Sequence, residues 1–555
     1  FSGGESLLSL RVKAFDRVAA GQQALSELRL DEAALAFHEA RGYAGEEDKG
    51  MFANATLSLL SSLPLFGERA KWELSELEEA LARAASVTAE SAEPLLALRR
   101  GAVLREQAAE GGVPIGVTFK EAAARARDAG GALSAAREAL ARELAGNLTQ
   151  EERNTLSLLG PRLSLVSANT EQFRSRSEFL GWMLGVEHPR RFLVAMQDSS
   201  VARATGGLIG SYAVLETAGG VVTKVDVEDA YNLDGELSVN VAPPPPLEKV
   251  ATSWAFRNAN WFLDFPLSAQ KLAYFFDKSG GGEVDGVIAL NGKALARLLD
   301  ATGPVSVSLH EGVIVSAFNV GELMRARLET EFAPATDRTP QEVLAGVLPL
   351  LLEAAIRAPE GAVSAFDSSF KEKDMLMWLA HKDYQRFVGE SGWDGGVSDG
   401  VTDYLAVVST DVGNPTGEGV TERIRKETRM GETGELTSTV VIEFKSKGGE
   451  RGHNGVSRYT RVYVPEGAEL LEASGGEPSG VVPQIDYASE QFRVDDDVAS
   501  SFMKAHTDEG TGMEVYRESG KTVFAAWVDS SDARLIFTYR VPFRAPLDEG
   551  AREMT

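Results

Sequence analysis

The apolar residues of this 555-residue chain change their spacing twice along its length, so one core cannot serve the whole of it. Leu74, Leu77, Leu81 and Ala84 recur at helical intervals, and Leu133, Ala136, Leu140 and Leu144 do the same. Such a period puts one apolar stripe on each helix. From about 186 the pattern becomes strands alternating with helices, the mark of an α/β layer. Beyond about 412 come TSTVVIEFKS, SRYTRVYVPEG, KTVFAAWVDS and ARLIFTYRVPF, short β-branched or alternating runs parted by Gly, Asp and Pro turns, with no helix expected among them. The reading is a multidomain α + α/β + β chain. It comprises an N-terminal helical domain over 1–158, a central α/β mixed-sheet module over 159–410 with a mainly helical insertion at about 320–395, and a C-terminal antiparallel β-sandwich over 411–555.

Within the first region, ALSELRLDEAALAFHEARGY from Ala24 to Tyr43 resembles half of a tetratricopeptide repeat. No second copy follows at the ~34-residue period, which predicts an array of helical hairpins and not a solenoid. In the second region EVDGVIALNGKALARLLDATGPVSVSL, Glu283 to Leu309, spells a buried strand, an Asn291-Gly292 turn, a short helix with Leu295, Leu298 and Leu299 inward, a Gly303-Pro304 stop and a second strand. The strand DYLAVVSTD, Asp403 to Asp411, is expected to rejoin the same sheet.

Composition removes several function classes. With 82 acidic against 56 basic residues the formal charge is -26, and no local basic patch offsets it, so a nucleic-acid partner is not expected. The longest apolar stretch, VLAGVLPLLLEAAI from Val343 to Ile356, contains Pro349 and Glu353 and falls short of the ~20 residues of a membrane span. The chain therefore reads as soluble, with membrane attachment only through an upstream segment. Its first residue is Phe1 and not methionine, which suggests removal or omission of such a signal or anchor. Cysteine is absent, which excludes disulfides, thiolate metal sites and a cysteine nucleophile. An acidic, cysteine-free, multidomain chain of this kind fits an extracytoplasmic, cell-surface location.

Familiar catalytic patterns are mostly missing. The histidines His38, His188, His310, His381, His453 and His506 include no i, i+4 pair for a metal. The letters of Gly396-Val397-Ser398-Asp399-Gly400 fit a nucleophile elbow, but they precede a strand where an elbow must lead into a helix. DAYNLDGE, Asp229 to Glu236, lacks the first acid of a calcium loop, and Asp495, Asp496 and Asp497 read either as a calcium ligand set or as a solvated acidic turn.

Two loops carry the remaining chemistry. One, in RFLVAMQDSSVARATGGLIGSYAV, sets Arg203 beside Thr205, Gly206 and Gly207; the other, WAFRNANWFLDFPLSAQ, holds Arg257, Asn258, Asn260 and Asp264. Arginine's planar fork and glycines that admit backbone amides suit a phosphate or pyrophosphate. The same residues also read as tight turns in which each arginine pairs with a carboxylate such as Asp198 or Asp264.

QDSSVARATGGLIGSYAVL, RNANWFLDFPLSA and VDGVIALNGKALARLLDATGPVSV, in that order and spacing, resemble the bacterial envelope family catalogued as domain of unknown function 4012, over about residues 186–410. That family is distantly similar to the LytR-CpsA-Psr proteins, extracytoplasmic transferases that move glycopolymers from a polyprenyl-pyrophosphate carrier to the cell wall. The resemblance implies that Arg203 and Arg257 hold a pyrophosphate, with Thr205, Gly206, Gly207, Asn258 and Asn260 around it. It also implies an aspartate, Asp198 or Asp264, that activates the acceptor hydroxyl, with Asp264 as the candidate Mg²⁺ ligand. Asn258 stands where both families usually have aspartate, and an amide can neither act as a base nor bring negative charge. Two functions follow as expectations. The first is a surface-layer-like structural or assembly protein that keeps a phosphate or glycopolymer site, its partners being other surface proteins or further copies. The second is a Mg²⁺-dependent phosphotransferase acting on a polyprenyl-linked envelope polymer.

Overall fold

The computed structural model describes residues 7–26, 29–44, 68–98, 114–307, 313–324, 340–357, 359–398, 400, 403–412, 420–446, 457–477, 485–487, 490–502, 505–529 and 532–545. His310, His453 and Asp399 lie outside them. Helices fill the early part of the chain and several sheets, antiparallel and mixed, the later part. The chain divides into two compact units: Phe1–Arg190 with Glu216–Lys224 and Leu352–Ser364, and Arg191–Leu215 with Val225–Leu351 and Ala365–Thr555.

The first unit is built on helices Leu7–Ser26, Leu30–Ala44, Glu68–Ser91, Ile115–Leu144 and Leu159–Met183. The segment resembling half a tetratricopeptide repeat spans the end of the first of these and nearly all of the second, with residues 27 and 28 outside the described residues. Leu77, Leu81, Ala84, Leu133, Ala136 and Leu140 are buried, as their spacing requires, and share one core with Phe15, Phe37, Leu159 and Leu163. Gly21 lets the first two helices close: a Cβ there would stand 2.8 Å from the ring of Phe37. The helical run extends past 158, through Leu159–Met183.

A five-stranded sheet has the order β3-β2-β1-β4-β7, from β1 (Arg190–Asp198), β2 (Leu208–Ala218), β3 (Val221–Asp229), β4 (Gly286–Asn291) and β7 (Met375–Leu379). β1 and β4 run parallel, which requires a crossover, and the amphipathic helix Phe265–Lys278 lies between them in sequence. Its Leu272, Phe275 and Phe276 share a core with Leu193 and Ala195 of β1 and Val287 of β4. After β4, Asn291 caps the helix Gly292–Thr302 by accepting from the amides of Lys293 (2.9 Å) and Ala294 (3.2 Å), and Gly303 ends it at φ +90°. β5 (Val305–Val307) and β6 (Val313–Val315) form a separate antiparallel ribbon.

Two further sheets have the orders β12-β16-β10-β9 and β13-β14-β15-β11-β8. Their strands are β8 (Ala406–Asp411), β9 (Val420–Met430), β10 (Glu435–Ser446), β11 (Arg458–Val464), β12 (Glu469–Ser474), β13 (His506–Thr507), β14 (Glu514–Glu518), β15 (Lys521–Val528) and β16 (Ala533–Arg544). Val440, Ile442, Phe444, Val462, Phe524 and Phe537 form one core from both sheets. Tyr459, Tyr463 and Trp527 point the other way and join the core of Trp261 and Phe262. With apolar neighbours on both faces, every residue of β11 and β15 is buried, which is why KTVFAAWV carries no alternation.

Two expectations are corrected and one is extended. The strand ending at Asp411 does not rejoin the α/β sheet: β8 pairs antiparallel with β11, Asp411 opposite Arg458, where a salt bridge favours that register. The insertion contains a strand, because the apolar run Met375–Leu379 completes the edge of the mixed sheet against β4. Helices do not stop at 412. Asp496–Phe502 is a short helix whose first amides, Asp497 and Val498, bond to the Asp495 carboxylate, while Lys271 bridges Asp495 (2.7 Å) and Asp497 (2.6 Å).

Candidate functional site

β1 ends at Asp198, and the chain turns through Ser199–Gly207 before entering β2. The turn depends on glycine. At Gly207 φ is +143° and a Cβ would lie 2.1 Å from the Asp198 carbonyl oxygen; at Gly206 φ is +133° and a Cβ would strike the Gln197 side chain at 2.6 Å. Gln197 donates to Thr205 Oγ1 (2.5 Å), which also accepts from the Asn260 amide (3.2 Å). Asn260, wholly buried, donates to the Gly207 carbonyl as well (2.8 Å). Thr205, Gly207 and Asn260 thus stitch the two loops together.

Arg203 projects from this turn and is partly buried. Its Nε and Nη2 both donate to Asn258 Oδ1, at 3.1 and 3.0 Å, and its Nη1 donates to the carbonyls of Ala202 (2.9 Å) and Asp411 (2.7 Å). Every partner is neutral, and no carboxylate of the described residues lies within ion-pair distance of the guanidinium. Burial lowers its pKa to about 10; the Asp411 carboxylate opposes that shift and the charge of Arg257 adds to it. At neutral pH it is still a cation.

The charge of Arg257 is felt at Arg203, and the loops that carry the two arginines are joined through Thr205, Gly207 and Asn260. Arg257 follows Phe256 in a short 3-10 turn, its amide bonded to Asp234 Oδ1 (3.3 Å) and its guanidinium 5.4 Å from the Tyr231 ring centroid. Trp254 fixes the turn by donating its indole N–H to the Asn258 carbonyl (2.8 Å).

The two candidate aspartates differ. Asp264 caps the helix Phe265–Lys278: Oδ1 accepts from the Leu267 amide (3.0 Å) and Oδ2 from the Val397 amide (3.0 Å), so both oxygens serve the backbone. Asp198 accepts from the Ser200 amide through Oδ1 (2.8 Å), and its buried Oδ2 has no partner. The buried Oδ1 of Asn260 has none either. Among the described residues no three His, Asp or Glu side chains are clustered as metal ligands, and no helix is long and apolar enough to cross a membrane.

Residues 187–328 match a family described as "Protein of unknown function (DUF4012)". No curated protein and no solved structure matches the chain. The DUF4012 segment holds both arginine loops and ends before β7 and β8. Asp411, whose carbonyl takes an Arg203 hydrogen, therefore lies outside it, as do Arg458, Arg461 and Glu518 behind the loops. No local signal in the sequence marks Asp411, which is 208 residues from its arginine. Gln197, by contrast, is the first residue of the motif QDSSVARATGG, at the end of β1.

Proposed function

We propose that this is an extracytoplasmic cell-surface protein with a structural or assembly role, divided into helical, α/β and β-sandwich parts, whose α/β part binds a phosphate-bearing envelope polymer or polyprenyl phosphate carrier between Arg203 and Arg257. One observation carries the binding reading: Arg203 is a partly buried cation held by four hydrogen bonds to neutral acceptors, on a loop tied to the one that carries Arg257. A desolvated charge with no carboxylate in direct contact is costly, even with Asp411 nearby, and a bound anion lowers that cost. Asn258 orients the fork without neutralising it, which leaves the charge to the ligand.

The test is calorimetric titration of the chain with inorganic pyrophosphate at low salt. Wild type is expected to bind, and Arg203→Met and Arg257→Met each to weaken binding about tenfold to a hundredfold, the range for hydrogen bonds to charged groups. Absence of wild-type binding at millimolar pyrophosphate would overturn the reading.

A second reading, the Mg²⁺-dependent phosphotransferase, is favoured by the unpartnered oxygens Asp198 Oδ2 and Asn260 Oδ1. Hard carboxylate and amide oxygens suit Mg²⁺, which would neutralise phosphate charge there. Asp198 is then the better candidate than Asp264, whose oxygens are committed to main-chain amides. Release of pyrophosphate-linked polymer in the presence of Mg²⁺, lost in Asp198→Asn, would establish this reading over the first.

A further inference from the structure

We propose that the C-terminal sheet is a working wall of the anion site, in which Asp411, Arg458, Arg461 and Glu518 are positioning residues that hold the two arginine loops in register. The proposal rests on the anion reading of Arg203 and Arg257.

The 199–207 loop is held from β8. The Ala202 amide donates to Asp411 Oδ2 (3.0 Å), the Asp411 amide donates back to the Ala202 carbonyl (3.2 Å), and the Asp411 carbonyl receives Arg203 Nη1. Asp411 is itself fixed by Arg458, whose Nε donates to Oδ1 at 2.7 Å. One strand end thus sets both the backbone of the loop and the direction of its guanidinium.

The 254–264 loop is held from β11 and β14. Arg461, fully buried, donates through Nη2 to the Trp261 carbonyl (2.6 Å) and through Nη1 to Glu518 Oε2 (3.1 Å), with its guanidinium 4.0 Å from the Trp261 ring centroid. Glu518 Oε1 accepts from the Leu263 amide (3.3 Å) and from the Tyr463 hydroxyl (2.6 Å). Trp261 stacks on Tyr459 at 6.2 Å and 22°. Burial works against the Arg461 charge, but the net shift from its neighbours, Glu518 among them, is upward, so the clamp stays ionised.

An apolar contact would join these surfaces at least as stably, since a buried ion pair contributes little net stability; what it adds is a defined geometry. Here the geometry fixed is that of Trp261 and Leu263, immediately beyond Arg257, Asn258 and Asn260. Holding loops in their binding conformation before the ligand arrives raises affinity by removing an ordering cost.

The test uses the full chain, inorganic pyrophosphate and the paired substitution Arg461→Met with Glu518→Met, which leaves no unpaired charge in the core. The double variant is expected to fold, to bind pyrophosphate at least about tenfold more weakly, and to lose hydrogen-exchange protection at 254–264. Arg461→Lys, which keeps a cation and a donor for the Trp261 carbonyl, is expected to recover most of the affinity; a purely structural role would move melting temperature and leave affinity alone. If the double variant does not fold, Asp411→Asn replaces it, with the same loss of affinity expected and its loss of protection read at 199–207. A folded variant that binds like wild type overturns this proposal alone. Failure of wild type to bind overturns the anion reading, and this proposal with it.

Discussion

A single atom, Asn258 Oδ1, receives two hydrogens of the Arg203 guanidinium, at 3.1 and 3.0 Å. The amide aims the fork without cancelling its charge. Asn258→Asp would supply the missing counter-ion from within the protein. The variant is expected to be more heat-stable and to bind pyrophosphate about tenfold more weakly, as a buried charge pair competes with the ligand. Calorimetry and thermal unfolding of the same preparation check this, and equal or tighter binding would count against an internal counter-ion effect.

Gly207 is the backbone requirement beneath that site. With φ at +143° and the Asp198 carbonyl 2.1 Å from the position of a Cβ, Gly207→Ala must shift the end of β1. The expected loss is about 2–4 kcal/mol in urea unfolding, in the range of substitutions at strained positive-φ sites. A loss below about 0.5 kcal/mol would mean that the turn relaxes at little cost.

Lys271 gives the acidic turn its character. Bridged to Asp495 and Asp497, it pairs with two of the three carboxylates that in sequence suggest calcium. Lys271→Met is expected to cost about 1–3 kcal/mol, less than a fully buried pair because Asp497 is partly exposed. Urea unfolding with and without calcium checks it: the wild type should be indifferent to calcium.

Glu248 provides a pH signature. It is buried, its Oε2 has no partner, and burial raises its pKa above the ordinary 4.5. On acidification from neutral, the folded chain takes up this proton before the unfolded chain does, so the group's contribution to stability improves as pH falls towards 4.5 and is flat below it. Glu248→Gln should match or exceed wild type at neutral pH and lose that gain. Unfolding free energies of the two proteins from pH 7 down to roughly pH 5 should converge; a constant difference would contradict the assignment.

Much of the site was legible because its determinants are local. The strand, Gly-Gly turn and strand around Arg203 follow from short-range pattern, as do the Asn291 cap, the Gly303 stop and the stripes of Leu77–Leu81 and Leu133–Leu140. What sequence could not supply is pairing across distance. Met375–Leu379 is five apolar residues between helices, and only its place beside β4 makes it a strand. The run Asp403–Asp411 spells a strand, which the structure forms over Ala406–Asp411, but its sheet is set by pairing with Arg458, far along the chain. β9, VTERIRKETRM, was missed because a solvent-exposed edge strand carries almost no apolar signal.

The position of β7 at the edge of the mixed sheet, next to β4, also dictates an order of events. A chain emerging from the ribosome exposes β1 to β4, with both arginine loops, well before Met375–Leu379 exists to cover the flank of β4. Until then β4 presents an unpaired edge, open to any neighbouring strand. The interval between the two strands is thus a window of vulnerability in synthesis, and slow translation between 292 and 374 would widen it.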